Sequence, residues 1–130
     1  MLECLVLGDS IAVGTAQQRP ECVAHAQVGI TSKAWVDKNI TKPLTARTVI
    51  ISLGSNDHAG VKTYKELQIV RELTKAERVY WILPAIKPEV QQTVQQVAQQ
   101  YGDVVLPFTP SRDGVHPTNT GYRELAKATR

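Results

Sequence analysis

The sequence predicts an α/β fold: a three-layer α/β/α sandwich on a flavodoxin-like, five-stranded parallel sheet of order 2-1-3-4-5. Three observations carry this. Short apolar runs alternate with helix-like stretches along the whole chain. The runs are continuous rather than alternating, as in strands covered on both faces. The resulting βαβαβαβαβα order, with right-handed crossovers, leaves few topologies, and 2-1-3-4-5 is the natural one for five strands.

The apolar runs are Leu2–Leu7, Cys22–Val28, Thr48–Leu53, Val79–Leu83 and Val104–Leu106. Between them, Pro88–Tyr101 is the clearest helix, with Val90, Val94, Val97 and Tyr101 on one face and glutamines around the rest. Pro88 suits its first turn and Gly102 its stop. Tyr64–Leu73 places Leu67, Val70 and Leu73 toward the sheet, and Asn119–Thr129 buries Tyr122, Leu125 and Ala126. Ala34–Ile40 carries Trp35 and Val36, and Ile11–Gln18 has room for about two helical turns. Both tryptophans, Trp35 and Trp81, read as core.

The 130 residues are one domain's worth, expected to span 1–130 without linker or repeat. Hydrophobic content of 42% against 21% charged is that of an ordinary globular protein, and a core must come from Val, Ile, Leu and Ala because aromatics are only 5%. The net charge of +3 is scattered and interleaved with acids, which argues against nucleic acid as a partner. No run reaches the 18 or so apolar residues of a membrane span. Met1 leads almost directly into the first strand pattern with no export signal before it, so a cytoplasmic or otherwise soluble chain is expected. Cys4 and Cys22 lack metal-ligand spacing, so no zinc or other metal is expected. Buried free thiols are their default state, and nothing in the sequence requires a disulfide.

In an open parallel sheet, sites form beyond the carboxyl ends of the strands, near the switch point. There the sequence places Gly8-Asp9-Ser10, Gly29-Ile30-Thr31-Ser32, Gly54-Ser55-Asn56-Asp57-His58 and Ser111-Arg112-Asp113-Gly114-Val115-His116-Pro117. A serine hydroxyl is a poor nucleophile until a base takes its proton, and histidine has the pKa for that task. A carboxylate three residues before His116 can hold its other ring nitrogen. The Ser10 backbone N–H at a helix mouth, the Gly29 backbone and the Asn56 amide are candidate donors to an oxyanion. Asp57 reads as a structural tie between loops, His58 as a solvated loop residue, His25 as a hydrogen-bonded core or edge residue, and Ser32 as a support of the Gly29 loop or, the favoured reading, the cap of the Ala34–Ile40 helix.

These four blocks, in order and spread over nearly the whole chain, resemble the SGNH, or GDSL, hydrolases. The G-D-S tripeptide alone is a weak signal; the D-x-x-H-P block followed by Thr118-Asn119-Thr120-Gly121-Tyr122 is a strong one. The resemblance implies Ser10 as nucleophile, His116 as base, Asp113 as its orienting acid, and Ser10, Gly29 and Asn56 as oxyanion hole. It implies a cofactor-free, metal-free hydrolysis of esters or thioesters through an acyl-serine. The chain is short for the family and lacks insertions that would build a lid, which favours a small acyl group on an accessible ester or acylated sugar. Thioesterase or lysophospholipase chemistry, or a silent module binding glycan or protein, are the alternatives. A phospho-acceptor receiver would need a lysine after the fifth strand, and none lies between Val104 and Pro117.

Overall fold

Parallel pairing of the apolar runs decides the architecture. The computed structural model describes residues 1–130. In chain order the elements are β1 (Leu2–Gly8), α1 (Ser10–Gln17), β2 (Val23–Ala26), α2 (Ser32–Asn39), β3 (Leu44–Ser52), α3 (Thr63–Leu73), β4 (Thr74–Lys75), β5 (Arg78–Ile82), α4 (Pro88–Tyr101), β6 (Val104–Leu106) and α5 (Asn119–Ala128). The sheet runs β2-β1-β3-β5-β6, every pairing parallel, with β4 beside the start of β3. Its five principal strands therefore follow the expected 2-1-3-4-5 order.

Side chains alternate across the two faces, as the strand period requires. Leu5, Leu7, Val49, Ile51, Val79 and Trp81 point toward α2, α3 and α4, where Trp35, Leu67, Val70, Val90, Val94 and Val97 meet them. Val6, Ile50 and Ile82 point the other way, against Ile11 and Ala12 of α1 and Leu125 of α5. Trp35 and Trp81 are both fully buried. Their indole N–H groups are satisfied by His25 O at 2.8 Å and Asp103 Oδ2 at 2.9 Å. Asp103 in turn takes a two-pronged contact from Arg71 at 2.7 and 3.0 Å, which neutralises the buried carboxylate. No helix is long and apolar enough to cross a membrane.

The differences from the sequence reading lie at strand ends. β3 begins four residues early, at Leu44, because Leu44 and Ala46 are buried while Thr45 and Arg47 face out; this alternating stretch is shaped by β4, a two-residue strand too short to read. β2 is shorter than the Cys22–Val28 run and largely exposed, since it lies at the sheet edge and pairs only with β1. His25 sits there, exposed.

The cysteines are a correction. Cys4 and Cys22 are not free thiols but form a disulfide across 18 residues, joining β1 to the turn before β2. The expected 2-1 order already sets the two runs side by side; what the apolar runs do not convey is the register, with Leu5 opposite Val23, that puts Cys4 beside Cys22. Beside it lies Arg19, only 4% exposed, whose guanidinium reaches Thr129 Oγ1 at 2.8 Å, Glu21 at 3.0 Å and Ala126 O at 3.4 Å. The disulfide thus belongs to a polar knot tying α1, β1 and the end of α5 together.

Closing a loop of this length removes denatured-state entropy worth roughly 3 kcal/mol. Cys22→Ala is expected to lower unfolding free energy by about that amount in urea titrations, and reduction of the wild type by a similar amount; an unchanged midpoint would show the bond to be absent in solution.

Candidate active site

The crossing from β1 into α1 is built by three residues. Gly8 has φ +139°, and a β-carbon there would lie 1.8 Å from Ser52 O, so only glycine lets β1 and β3 approach at their last rung. Asp9 N–H then donates to Ser52 O at 2.9 Å, while Ser52 Oγ donates to Asp9 Oδ1 at 3.1 Å. Asp9 Oδ1 also accepts from Ile11 N at 3.1 Å, capping α1. Ser10 is consequently the first residue of α1, half-buried at the sheet's carboxyl edge, and its N–H has no acceptor within its own helix.

The histidine arrives from the other end of the chain. After β6 the chain folds into a tight loop, closed by the Pro110–Pro117 bridge and by Ser111 N–H to His116 O at 2.7 Å. Within it, Asp113 Oδ1 accepts from Val115 N at 2.8 Å, His116 N at 2.9 Å and Ser111 Oγ at 3.1 Å. Asp113 Oδ2 lies 2.7 Å from His116 Nδ1, and His116 Nε2 lies 2.8 Å from Ser10 Oγ, a contact across 106 residues. With Nδ1–H donated to the carboxylate, Nε2 is left to accept the serine hydroxyl proton. The three side chains form one continuous hydrogen-bonded chain. It is open to solvent, with the His116 and Asp113 side chains 39% and 51% exposed.

The candidate oxyanion donors converge on the same edge. Gln27 N–H donates to Gly8 O at 2.9 Å, pinning the exit of β2 beside the end of β1. Gly29 follows in a turn with φ +79°, a left-handed conformation suited to glycine, and its N–H donates to no protein carbonyl. Asn56 lies in the loop after β3 and gives one Nδ2 proton to Ile30 O at 3.0 Å, leaving the other unassigned. Asp57 ties these loops, as its position suggests: its carboxylate takes Ser32 N at 2.8 Å, Ser32 Oγ at 2.6 Å and Thr63 Oγ1 at 2.8 Å. Ser32 is therefore not the cap of α2. That role falls to Thr31, whose Oγ1 accepts from Ala34 N at 3.1 Å, because Ser32 is already helical and its hydroxyl is spent on Asp57. His58 is exposed and makes no bond to the chain of three, accepting instead from Gly60 N at 3.1 Å. The sequence reading gave Ser52 no role and Ser111 none beyond its place in the last block; a serine inside an apolar run and one opening the last loop are the only signals they leave.

Electrostatics separate the two aspartates. The His116 and Val115 backbone N–H groups, then the His116 imidazole and the Ser111 hydroxyl, hold Asp113 well below the usual carboxylate range. It stays ionised at any pH at which the imidazole could act as base. Asp9 shows the opposite balance. Burial pushes its carboxyl up to about 6, outweighing the Ile11 N–H, the Ser52 hydroxyl and the Ala12 N–H, and its Oδ2 has no partner.

The fold is one that the chain shares with solved structures, among them the following three. A GDSL-like lipase from Bacteroides thetaiotaomicron is 18% identical, matching 98% of this chain and 85% of its own with a TM-score of 0.63. A member of the lipolytic protein G-D-S-L family from Veillonella parvula is 18% identical over 98% of this chain and 95% of its own, TM-score 0.63. The C-terminal catalytic domain of Streptococcus pneumoniae peptidoglycan O-acetyltransferase A, solved with a methylsulfonyl adduct, is 18% identical over 96% and 88%, TM-score 0.58. No protein-family model and no curated protein sequence matches the chain.

Asp9 makes stability pH-dependent. Its folded pKa exceeds the unfolded value of 3.8, so the folded state holds a proton that the unfolded state releases, and stability falls as pH rises from about 4 to about 6. Asp9→Asn removes this loss. Its stability relative to wild type is expected to rise on the order of 3 kcal/mol across that window, read by urea unfolding at stepped pH; a constant difference would mean Asp9 is already ionised at pH 4.

Proposed function

We propose that the protein is a serine ester hydrolase acting on small acyl groups through an acyl-Ser10 intermediate. The observation that supports it best is the unbroken Ser10–His116–Asp113 hydrogen-bond chain at 2.8 and 2.7 Å, with Ser10 at a helix N-terminus. In this reading His116 Nε2 takes the Ser10 proton as Oγ attacks the ester carbonyl. The imidazolium that forms is stabilised by ionised Asp113. The oxyanion is received by the Ser10 and Gly29 backbone N–H groups and the remaining Asn56 amide proton. His116 then protonates the leaving alcohol, and the same histidine activates water to release the acid. The solvent-open triad favours an acetyl-like group on an accessible ester, such as an acylated sugar. The disulfide favours an oxidising compartment as the place of action.

The test is hydrolysis of p-nitrophenyl esters from acetate to palmitate. Acetate is expected to turn over fastest, with activity falling as the chain lengthens. Ser10→Ala is expected to abolish turnover, and Asp113→Asn to lower kcat by roughly 10²–10⁴-fold. Asn56→Ala is expected to cost about 10²–10³-fold in kcat. Turnover that survives Ser10→Ala would remove the acyl-serine reading.

A further inference from the structure

Lys87 is the one non-glycine residue with positive φ, at +62° and ψ 86°, immediately before α4. A side chain in that region is strained, and such strain persists only where surrounding contacts impose it. The contacts here are specific. Lys87 Nζ donates to Ser55 O at 2.8 Å and to Asp57 O at 2.6 Å. These are the carbonyls on either side of Asn56, and no other protein group donates to them. Backbone bonds within the Asn56 loop are few: only Asp57 N–H to Gly54 O and Val61 N–H to His58 O close turns there. On the far side the Asp57 carboxylate is held by Ser32 and Thr63.

We propose that Lys87 is a positioning residue for the oxyanion hole: its ammonium holds the carbonyls of the two residues flanking Asn56, Ser55 and Asp57, and so aims the amide proton that Ile30 O leaves free. The proposal rests on the reading of Asn56 as an oxyanion donor. A half-buried ammonium with two carbonyl acceptors makes charge-assisted bonds, stronger than a neutral donor would supply. Because Asn56 also bonds Ile30 O, next to Gly29, the clamp steadies the second donor loop through the first. Lys87 touches no reacting atom in this scheme; it acts only through Asn56.

Lys87→Gly separates this role from a structural one. Glycine relieves the left-handed strain and serves well before a helix, so the melting temperature is expected to stay level or rise. The kcat for p-nitrophenyl acetate is expected to fall roughly tenfold, short of the ~10²–10³-fold for losing the donor itself, with KM within about twofold. In an Asn56→Ala background the same substitution should change kcat by less than about twofold, since the group it aims is gone. Lys87→Arg, which keeps a charged donor at the same place, should restore most of the activity. Unchanged kcat in Lys87→Gly, or an equal loss with and without Asn56, overturns the proposal, as does a loss that merely tracks a lowered melting temperature. If the wild type hydrolyses no ester, the ester reading fails and the clamp is judged on its own by NMR. The Asn56 side-chain amide resonances should then shift or broaden in Lys87→Gly, and identical resonances would overturn it.

Discussion

The last rung between β1 and β3 is the contact on which the rest of the molecule depends. There Gly8 lies so close to Ser52 that no side chain fits, and Asp9 and Ser52 exchange two hydrogen bonds across the gap. This clasp turns β1 into α1 at a fixed point and sets Ser10 at the helix mouth. From the same rung β3 runs on toward Asn56. The two central strands of the sheet therefore deliver the candidate nucleophile and a candidate oxyanion donor from a single point of close packing. A buried carboxyl is the penalty of that geometry: Asp9 caps a helix whose dipole favours its charge, yet burial dominates and raises its pKa.

The acid–base half is assembled by different physics. Asp113, Val115 and His116 lie within one four-residue stretch, and the carboxylate organises its own loop by accepting two backbone N–H bonds before it meets the imidazole. Such a unit is largely set by local sequence. Its placement is not. The loop is brought to Ser10 by the Pro110–Pro117 bridge, by β6 pairing with β5, and by α5 packing against α1 through Leu125, Ile11 and Ala12. Parallel topology thus joins two locally specified pieces over 106 residues.

A third layer of contacts steadies the loops that carry no regular structure. Buried Asp57 gathers Ser32 and Thr63, Asn56 bonds Ile30 O, and Lys87 reaches the carbonyls around Asn56. Away from the site, the Cys4–Cys22 disulfide joins β1 to the turn before β2, and Arg19 ties that turn to the end of α5. Polar groups inside the molecule are thus almost all paired. Asp9 Oδ2, Ser55 Oγ and Glu66 Oε2 are the side-chain exceptions, and two of these lie beside the candidate site.

The order of the five main strands, the faces of α3, α4 and α5, and the burial of Trp35 and Trp81 were legible because apolar runs and helical periodicity report burial directly. The residues of the candidate site were legible as well, since each follows a strand at the edge where parallel sheets place their sites. What the sequence could not convey depends on distance between segments that only folding brings together. The cysteines pair because the register of β2 on β1 puts them side by side. Thr31 rather than Ser32 caps α2 because Asp57, 25 residues on, claims the serine. The two-residue β4 exists only because β3 offers it an edge. Local sequence by itself determined the main strands and helices and which residues lie at their ends. Tertiary structure decided which polar groups meet, because a hydrogen bond is set by atoms within about 3 Å and not by position along the chain.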